Sequence, residues 1–556
     1  MSPVKTRDVV VLGGGLAGLS VALQIKQMRP KTSVVVVEKR THPVPEAAFK
    51  VGESVAEIGA HYLKDIIGFD EHLAQHQLRK FSLRFFSSHD GNADIARRPE
   101  FGLTRFTPAA VYQIDRGRLE NALAEAAVDA GVELLGGHTV TGFELGADRH
   151  SVAIKRNGDA RELDPKWIID ASGRAGVLRR NLRLGVDIDH DVNASYWRLP
   201  YRLEVDKWSD DEAWRARVPN GRRWQSTCQL LGEGYWVWLI ALPDGRHSVG
   251  VVADPRFVPF ERIRRYPDVL EWAAEFEPQL AEQLPDSEDG LLDFRKVAHV
   301  AYGTRRGLSP QRWCLCGEAG LFLDPLYATG LDFIAVSNTL ASRLICGALA
   351  DEPDLRRRLK AYNAYYLGQF MGWQPAFAGQ YEVFRDAPVT AAKVLWDMAG
   401  YFSYPVLTFT KGVMLDYEYL GGIKAEFKQH YDLNVYMQRF FREWSRAEYD
   451  RRGVGFAYGT DPMVEEVFAA AAKDMPREEV ADRVRVGVRR MRRMSHEIIE
   501  RARELGGFRF DVPPPMELLS SDIDWDEELI GWSPYAQRVA PPANADPQPA
   551  DAWMLR

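Results

Sequence analysis

The chain has 556 residues, which is long for one simple core and predicts two or three domains. A hydrophobic share of 46% beside 27% charged residues is typical of a globular protein, and the net charge of -7 argues against nucleic acid as the main partner. Met1 leads almost directly into the first strand and no apolar run reaches about 18 residues, so we expect neither a signal peptide nor a transmembrane segment. The cysteines have no paired metal-ligand spacing, so we expect no metal site and a reducing cytoplasm; they are Cys228, Cys314, Cys316 and Cys346.

The chain opens with a dinucleotide-binding pattern. An apolar strand runs into Gly13-x-Gly15-x-x-Gly18 and then into a helix. The first glycine allows the tight turn, the second lets the backbone approach a pyrophosphate, and the third lets helix and strand pack closely. Glu38 ends the next strand, about 20 residues on, where an acid accepts a ribose hydroxyl and disfavours a 2′-phosphate. We assign three neighbouring residues to the same cofactor site: Leu16, Ala17 and Lys39.

A second flavin pattern, residues 313–326, follows some 300 residues later. It contains Gly317 and Glu318, which we expect beside the flavin ribityl chain, and ends in Asp324 and Pro325. One cofactor contacted by both ends of so long a fold favours FAD over NAD, and it favours an enzyme. Arg116 opens a helix and is a candidate for a flavin phosphate, with an exposed helix-start arginine as the alternative.

The periodicity predicts an α/β protein with a discontinuous FAD-binding domain of the Rossmann type. An inserted antiparallel substrate sheet and a helical C-terminal region complete it. We predict the following division: the FAD-binding domain over 1–190, with a strand over 78–90 contributing to the substrate region, the antiparallel substrate-binding sheet over 191–295, a return to the FAD-binding domain over 296–350, the helical C-terminal region over 351–539, and a disordered tail over 540–556.

Four motifs resemble those of the flavin-dependent halogenases, within the superfamily of FAD-dependent aromatic hydroxylases. They are the glycine loop, the segment Val51-Gly52-Glu53-Ser54, the W-x-W segment of Trp236 and Trp238, and the segment 324–330. The resemblance covers about residues 7 to 350 and is closer to the enzymes that act on phenols and pyrroles than to the tryptophan halogenases. It implies that residues 51–54 contact the flavin.

The resemblance also implies a reaction. Reduced FAD and O2 form a C4a-hydroperoxide, which turns chloride or bromide into hypohalous acid. Thr329 and Gly330 would bind the halide, and Lys80 would pass the oxidised halogen to an electron-rich aromatic substrate. The substrate is a small molecule, either free or tethered to a carrier protein. Because the sequence has no second glycine fingerprint for a nicotinamide, we expect a separate flavin reductase to supply reduced FAD.

Lys80 lies in a stretch, 79–85, that alternates like a half-buried strand. On that interpretation Lys80 shares a face with Ser82 and Arg84. An apolar site that lowers the pKa of the lysine would make it a better nucleophile. The alternatives are a solvated lysine at a strand edge, and Lys50 as the functional lysine instead.

Two positions depart from the family pattern. Ala241 stands where the tryptophan motif has proline, and Tyr327 stands where the tryptophan halogenases have a glutamate that orients the electrophile. Trp236 and Trp238 alternate on one strand and so point to one face, where they would shield the flavin from the substrate or simply form core. Further aromatic residues are expected to line a pocket or to belong to the core: Tyr196, Trp197, Trp224, Tyr235 and Trp373.

Other functions stay open at this point. A flavin monooxygenase would insert oxygen into the substrate without halide, and a flavin dehydrogenase or oxidase would act on a biosynthetic intermediate. A flavoprotein scaffold without turnover is a further alternative. A basic run over 483–494 is either a dock for an acidic carrier protein or a solvated helix face balanced by nearby acids, and we favour the helix face.

Overall fold

The computed structural model describes residues 5–47, 50–448, 456–458, 473–506 and 510. The strands are β1 Lys5–Leu12, β2 Val34–Glu38, β3 Leu78–Arg79, β4 Leu83–Phe86, β5 Glu100–Gly102, β6 Tyr112–Gln113, β7 Glu133–Gly136, β8 Thr139–Glu144, β9 Ser151–Arg156, β10 Asp159–Asp170, β11 Gly185–Val186, β12 Asn193–Leu199, β13 Thr227–Gly232, β14 Tyr235–Ala241, β15 His247–Ala253, β16 Asp293–Val297, β17 Gly303–Thr304, β18 Leu308–Ser309, β19 Trp313–Leu315 and β20 Phe456–Tyr458.

The α-helices are α1 Leu16–Met28, α2 Glu57–His61, α3 Asp70–His76, α4 Arg116–Asp129, α5 Val177–Asn181, α6 Glu212–Ala216, α7 Tyr266–Phe276, α8 Pro278–Ala281, α9 Gly330–Leu349, α10 Leu355–Phe377, α11 Ala387–Tyr401, α12 Leu407–Thr410, α13 Tyr417–Gly422, α14 Lys424–Arg446 and α15 Arg477–Gly506.

The first sheet has the order β18-β19-β10-β1-β2-β7. Its central strands are parallel, with Val9 opposite Val34 and Trp167. Parallel strands are buried on both faces, which is why the second half of β1 and the first four residues of β2 are runs of valine and leucine. Strand β2, which follows β1 in the chain, lies on one side of β1, and β10 lies on the other side. This reversal of strand order at the carboxyl ends is the place where open α/β sheets bind their ligands.

The second sheet has the order β16-β12-β15-β14-β13-β4-β5-β20. Most neighbours are antiparallel, as the sequence predicts, but β4 pairs with β13 in parallel and β20 pairs with β5 in parallel. The inserted strands β12 to β16 pair antiparallel with one another, as predicted, and both parallel pairings involve strands from outside the insertion. Parallel pairing arises because β4 and β5 come from the first part of the chain, before the insertion, and join the edge of the hairpin β13-β14.

The described part of the C-terminal region contains α10 to α15 and the short strand β20, and it packs on the core of the first sheet through residues such as Phe377, Leu395 and Tyr401. Among the described helices, none has the length and apolar character needed to cross a membrane. The predicted tail over 540–556 lies outside the described residues.

The basic run forms part of α15. Its apolar residues Val484 and Met491 are buried, whereas Arg483 and Arg485 pair with acidic side chains. The Arg485 guanidinium lies 3.0 Å from Glu426 and 2.8 Å from Asp482. This geometry is that of a helix face whose charge is balanced locally.

Candidate active site

The three glycines after β1 have different surroundings. Gly13 has φ +110°, and a Cβ there would collide with the carbonyl oxygen of Ala171 on the adjacent strand. A Cβ on Gly18 would collide with the carbonyl oxygen of Gly13. A Cβ on Gly15, in contrast, would meet nothing closer than the Glu120 carboxylate at 3.8 Å. The fold thus requires the first and third glycines, and it leaves open space in front of the second, where a pyrophosphate would lie.

A cavity of about 1010 Å³ adjoins this loop and is called the flavin cavity below. All four residues of the segment Val51-Gly52-Glu53-Ser54 line it. So do seven other residues that the sequence assigned to cofactor, halide or shielding roles: Leu16, Arg116, Trp236, Trp238, Glu318, Pro325 and Gly330. Residues from positions 16 to 330 therefore meet around one space.

Three buried polar atoms of the residues that line the flavin cavity have no hydrogen-bond partner in the described structure. They are Oε2 of Glu53, Oε1 of Gln229 and Nε of Arg116. The rest of the Glu53 and Arg116 side chains is held: Arg198 donates to Glu53 Oε1 at 2.9 and 2.6 Å, and Arg116 donates to the Val51 carbonyl at 2.6 Å. A positioned acceptor and a positioned donor without partners fit a cofactor that carries both hydroxyl and phosphate groups, as FAD does.

Lys80 lies in a second cavity of about 710 Å³, the lysine cavity. Its side chain is only 3% exposed, and Nζ donates to the carbonyl oxygen of Val55 at 2.5 Å and to the hydroxyl of Ser54 at 3.3 Å. The alternative of a solvated lysine at a strand edge does not match this burial. Lys80 also falls between β3 and β4, where its backbone N–H donates to Val111.

The surroundings of Lys80 lower its pKa. Burial lowers it to about 8, and the nearby carboxyls of Glu57 and Asp332 offset only part of that shift. The Asp332 carboxyl is itself buried, which raises its pKa to about 7, and it accepts from Gly59 N and from the Tyr401 hydroxyl, both at 2.8 Å. At pH 7 about a tenth of Lys80 therefore carries a free electron pair, far more than for a lysine with its ordinary pKa.

Only a thin wall separates the two cavities. Ser54 and Gly330 line the flavin cavity, whereas their close neighbours in sequence, Ala56 and Thr329, line the lysine cavity. Lys80 donates to Ser54 and Val55, which belong to that wall. The lysine thus lies at the boundary between the space for a flavin and a separate, mostly apolar space.

The wall includes the loop predicted to bind halide. Tyr327 and Ala328 have φ values of +65° and +63°, a left-handed conformation that turns the chain sharply before α9 begins at Gly330. Non-glycine residues adopt this conformation only where the surroundings hold them, and such strain is common at functional sites. Here the Tyr327 hydroxyl donates to Asp397 at 2.8 Å.

Known proteins resemble the chain in both sequence and fold. A family model described as an FAD binding domain matches residues 6–198. The flavin-dependent halogenase chlA of Dictyostelium discoideum is 22% identical over 393 residues, which cover 64% of this chain and 63% of that protein, less than two thirds of its length. The 1H-pyrrole-2-carbonyl peptidyl-carrier-protein chlorinase of Pseudomonas fluorescens is 24% identical over 389 residues, or 66% and 81% of the two chains. Halogenase PltM, solved in complex with phloroglucinol and FAD, has the same fold with a TM-score of 0.62 at 16% identity, over 89% of this chain and 96% of that one.

The chain resembles the flavin-dependent halogenases in sequence, and it resembles halogenase PltM in fold.

Several residues that the sequence assigned to the cofactor lie outside the lining of the flavin cavity. Glu38 accepts from Gly14 N at 2.6 Å and from Arg40 N at 2.9 Å, and Lys39 beside it is exposed. Ala17, Gly18 and Gly317 have packing roles: Ala17 accepts from Asn338, Gly18 packs on Gly13, and Gly317 donates to Ser337.

Asp324 also turns away from both cavities. Its carboxylate accepts from the Tyr381 hydroxyl and from His190, each at 2.7 Å, and from Leu326 N at 2.9 Å. The last of these bonds caps the turn that follows.

The aromatic residues divide between faces of the second sheet. Trp236 and Trp238 share a face, as predicted, and their indole N–H groups donate to Tyr381 at 2.8 Å and to Ser248 at 3.2 Å. Both tryptophans line the flavin cavity, and neither lines the lysine cavity within the described chain. The other aromatics separate likewise: Tyr196 lines the flavin cavity, Trp373 lines the lysine cavity, Trp197 and Tyr235 belong to the opposite core, and the Arg202 guanidinium stacks over Trp224.

Three further positions that the sequence singled out have defined surroundings: Lys50, Ala241 and Tyr327. Lys50 pairs with Glu120 near Gly15, far from the lysine cavity lining, and burial lowers its pKa to about 7. β14 continues through Ala241, which pairs with His247, so the strand does not need the family's proline to end there. Tyr327 lines the lysine cavity.

Sequence reasoning missed several polar residues at the site. Arg174 lines the flavin cavity and donates to the carbonyl oxygens of Val300 and His299 at 2.9 and 3.1 Å. With Arg116 it counteracts the effect of burial, which raises the pKa of Glu318. Its position just after β10, the strand beside β1, was the available signal. Glu57, Asp397 and Tyr401 line the lysine cavity, and no local motif marked them.

Proposed function

We propose that the protein is an FADH2-dependent halogenase that acts on an electron-rich aromatic substrate. The observation that carries this proposal is the position of Lys80. It is a buried lysine with a lowered pKa at the wall between a flavin cavity and a separate aromatic-lined cavity. A monooxygenase that transfers oxygen directly from flavin to substrate would need no such relay.

The cofactor would occupy the flavin cavity, with its pyrophosphate at Gly15 and the start of α1. Leu16, residues 51–54, Arg116, Glu318 and Pro325 would contact it, together with Arg174. FAD supplied in reduced form provides, with O2, the oxidising equivalent that converts halide to hypohalous acid. We retain Glu38, Lys39, Gly317 and Asp324 as supports of this site and not as lining residues.

Chloride or bromide would bind at Thr329 and Gly330, where the loop enters the 20-residue helix α9. Free amide groups and the helix dipole favour an anion at that end. The Asp332 carboxyl in the first turn would oppose it, but its raised pKa keeps part of it protonated near neutral pH.

Lys80 would direct the oxidised halogen into the lysine cavity. Its Nζ either hydrogen-bonds hypohalous acid or displaces water from it to form an N–halogen bond. An aromatic carbon then takes the halogen, the nitrogen regains its electron pair, and the ring loses a proton. Phe85, Phe101 and Trp373 give the cavity an apolar, aromatic lining suited to a flat ring.

The partner and location belong to the same proposal. The sequence has one glycine fingerprint, so we propose a separate flavin reductase as the source of reduced FAD. A carrier-tethered substrate has a precedent in the Pseudomonas chlorinase, whose name specifies a peptidyl-carrier protein. Four buried, unpaired cysteines support a cytoplasmic location.

Lys80→Ala tests the relay. We expect the variant to bind FAD and consume O2 normally but to lose halogenated product by a factor of about 100 or more, because removal of a positioned reacting group commonly costs that much. Lys80→Arg should not restore it, because guanidinium stays protonated. Lys50→Ala is the matched control: it removes another lysine of lowered pKa, and at saturating FAD it should keep the product yield. Halogenation by Lys80→Ala at the wild-type rate would remove this residue from the mechanism.

A further inference from the structure

A third cavity of about 420 Å³ lies within the C-terminal helices, and it is called the rear chamber below. Its lining comes from α10, α11, α14, α15 and the turn after α11. It shares three lining residues with the lysine cavity: Trp373, Asp397 and Tyr401. The two spaces therefore meet at these side chains, on the side of the lysine cavity away from the flavin.

The chemistry of the rear chamber suits an apolar, uncharged group. Trp396, Tyr404 and Phe427 contribute aromatic surface, and Gly372 leaves open space, since a Cβ there would meet nothing closer than Phe427 at 3.9 Å. No lysine or arginine belongs to its described lining. A phosphate-bearing tether would find no cation there.

One polar atom at the chamber lacks a partner. Nε2 of His430 is buried and makes no hydrogen bond. The imidazole stacks near Tyr404, with ring centroids 6.3 Å apart, and burial lowers its pKa to about 4. It is therefore neutral at physiological pH and can exchange one hydrogen bond with a neutral ligand.

One side chain of the shared wall has no polar anchor among the described residues. Asp397 is fixed by Gln438 at 2.6 Å and by Lys393 at 2.5 Å, and Tyr401 is fixed through its hydroxyl to Asp332. Trp373 is held by ring contacts instead, with Tyr401 at 5.7 Å and Phe377 at 6.0 Å between ring centroids. Of the three shared residues, Trp373 is thus the one whose displacement would break no hydrogen bond of this set.

We propose that the rear chamber is a second substrate subsite, so that the native substrate is a neutral, two-ring phenol. The reacting ring lies beside Lys80, and the second ring passes Trp373 into the rear chamber, where a polar substituent meets His430. The identity of the reacting ring rests on the proposed function, whereas the existence of the subsite can be tested by binding alone.

Calorimetric binding to the FAD-loaded protein tests the subsite without turnover. The probes are phenol, para-benzylphenol and bis(para-hydroxyphenyl)methane, titrated in the absence of halide and reductant. We expect both two-ring probes to bind at least tenfold more tightly than phenol. Gly372→Leu, which fills the chamber, should abolish that advantage and leave phenol binding unchanged.

Gly368→Leu is the matched control. It lies one turn earlier on α10, also facing Phe427, but outside the chamber lining, and it makes the same gain in helix propensity. It should retain the tenfold preference. Thermal unfolding and the flavin absorbance spectrum of each variant establish that it is folded and loaded.

His430→Phe tests the polar contact. Because Nε2 has no partner in the protein, its removal should not lower the unfolding temperature. The variant should lose any preference for bis(para-hydroxyphenyl)methane over para-benzylphenol. Equal affinity of phenol and the two-ring probes in the wild type, or an unchanged preference in Gly372→Leu, would overturn the subsite. If binding follows the expectation but no probe is ever halogenated, the proposed function fails and the subsite stands.

Discussion

Lys80 shows how one residue acquires a function from its position. As sequence it is an ordinary lysine in an alternating segment, and the motif alignment alone singled it out. The structure adds what the motif could not: almost complete burial, two acceptors in the wall between cavities, and two carboxyls nearby. Those surroundings come from α2 and α9, which are remote from position 80 in the chain.

The buried amine makes folding stability depend on pH. Lys80 loses its proton at about pH 8 in the folded protein but only near 10.5 when unfolded. Between these values the unfolded chain binds more protons, so the contribution of Lys80 to stability rises with pH, by about 3 kcal/mol at most. We expect the free energy of unfolding of wild type, minus that of Lys80→Met, to increase between about pH 8 and about pH 10.

Denaturant titrations of both proteins measure that difference. The range lies above the titration of Asp332, whose pKa is about 7, so this carboxyl stays ionised throughout. A difference that stays flat or falls with pH would show that the amine is not buried as described.

The junction of β1 and α1 shows how an element serves both fold and ligand. Gly13 and Gly18 are required because Cβ atoms would collide with backbone carbonyls, whereas Gly15 faces open space with φ in the extended region. The three glycines of the motif therefore differ in role: the fold requires Gly13 and Gly18, whereas Gly15 leaves space for the ligand.

Alanine substitutions separate these roles. Gly15→Ala should leave the thermal stability of the cofactor-free protein nearly unchanged and weaken FAD binding at least tenfold, because the added methyl group occupies the approach of the pyrophosphate. Gly18→Ala should fail to fold or unfold at a much lower temperature. Scanning fluorimetry and FAD titration provide both readouts, and normal FAD affinity in Gly15→Ala would remove this loop from the cofactor site.

How far the sequence predicts an element depends on where its contacts lie. The β1, β2 and β10 strands were predictable because buried parallel strands are continuous apolar runs followed by glycine or acidic residues. The parallel pairing of β4 with β13 was not, because nothing local specifies which edge a distant strand joins. The alternating sequence also predicted that Lys80 and Arg84 share one face of a strand. In the structure Lys80 lies between β3 and β4, and Arg84 pairs with the buried Glu100.

At the scale of the whole molecule, three distant regions meet through a short chain of hydrogen bonds. Trp236 of the second sheet donates to Tyr381 of the C-terminal region, and Tyr381 donates to Asp324, which His190 also contacts. This network fixes the helical region over the lysine cavity, to which it supplies Trp373, Asp397 and Tyr401. The C-terminal region, where no motif was recognised, therefore completes the lining of the lysine cavity.

Because the sequence has one glycine fingerprint, we expect the protein to depend on a separate flavin reductase for reduced FAD. Mixed with FAD and NADH alone, the purified protein should not bleach the oxidised flavin absorbance on the order of seconds, the timescale of a typical turnover. Addition of an unrelated flavin reductase should produce rapid bleaching. Fast reduction by the protein and NADH alone would show that it carries its own nicotinamide site.

The most direct test of the central claim is halide dependence. Wild-type protein is supplied with enzymatically reduced FAD, O2 and a panel of phenols, pyrroles and indoles, with and without bromide, and products are analysed by mass spectrometry. We predict a product with the bromine isotope doublet that forms only when bromide is present. The same substrate modified equally well without halide, by gain of one oxygen, would contradict the account and identify a monooxygenase.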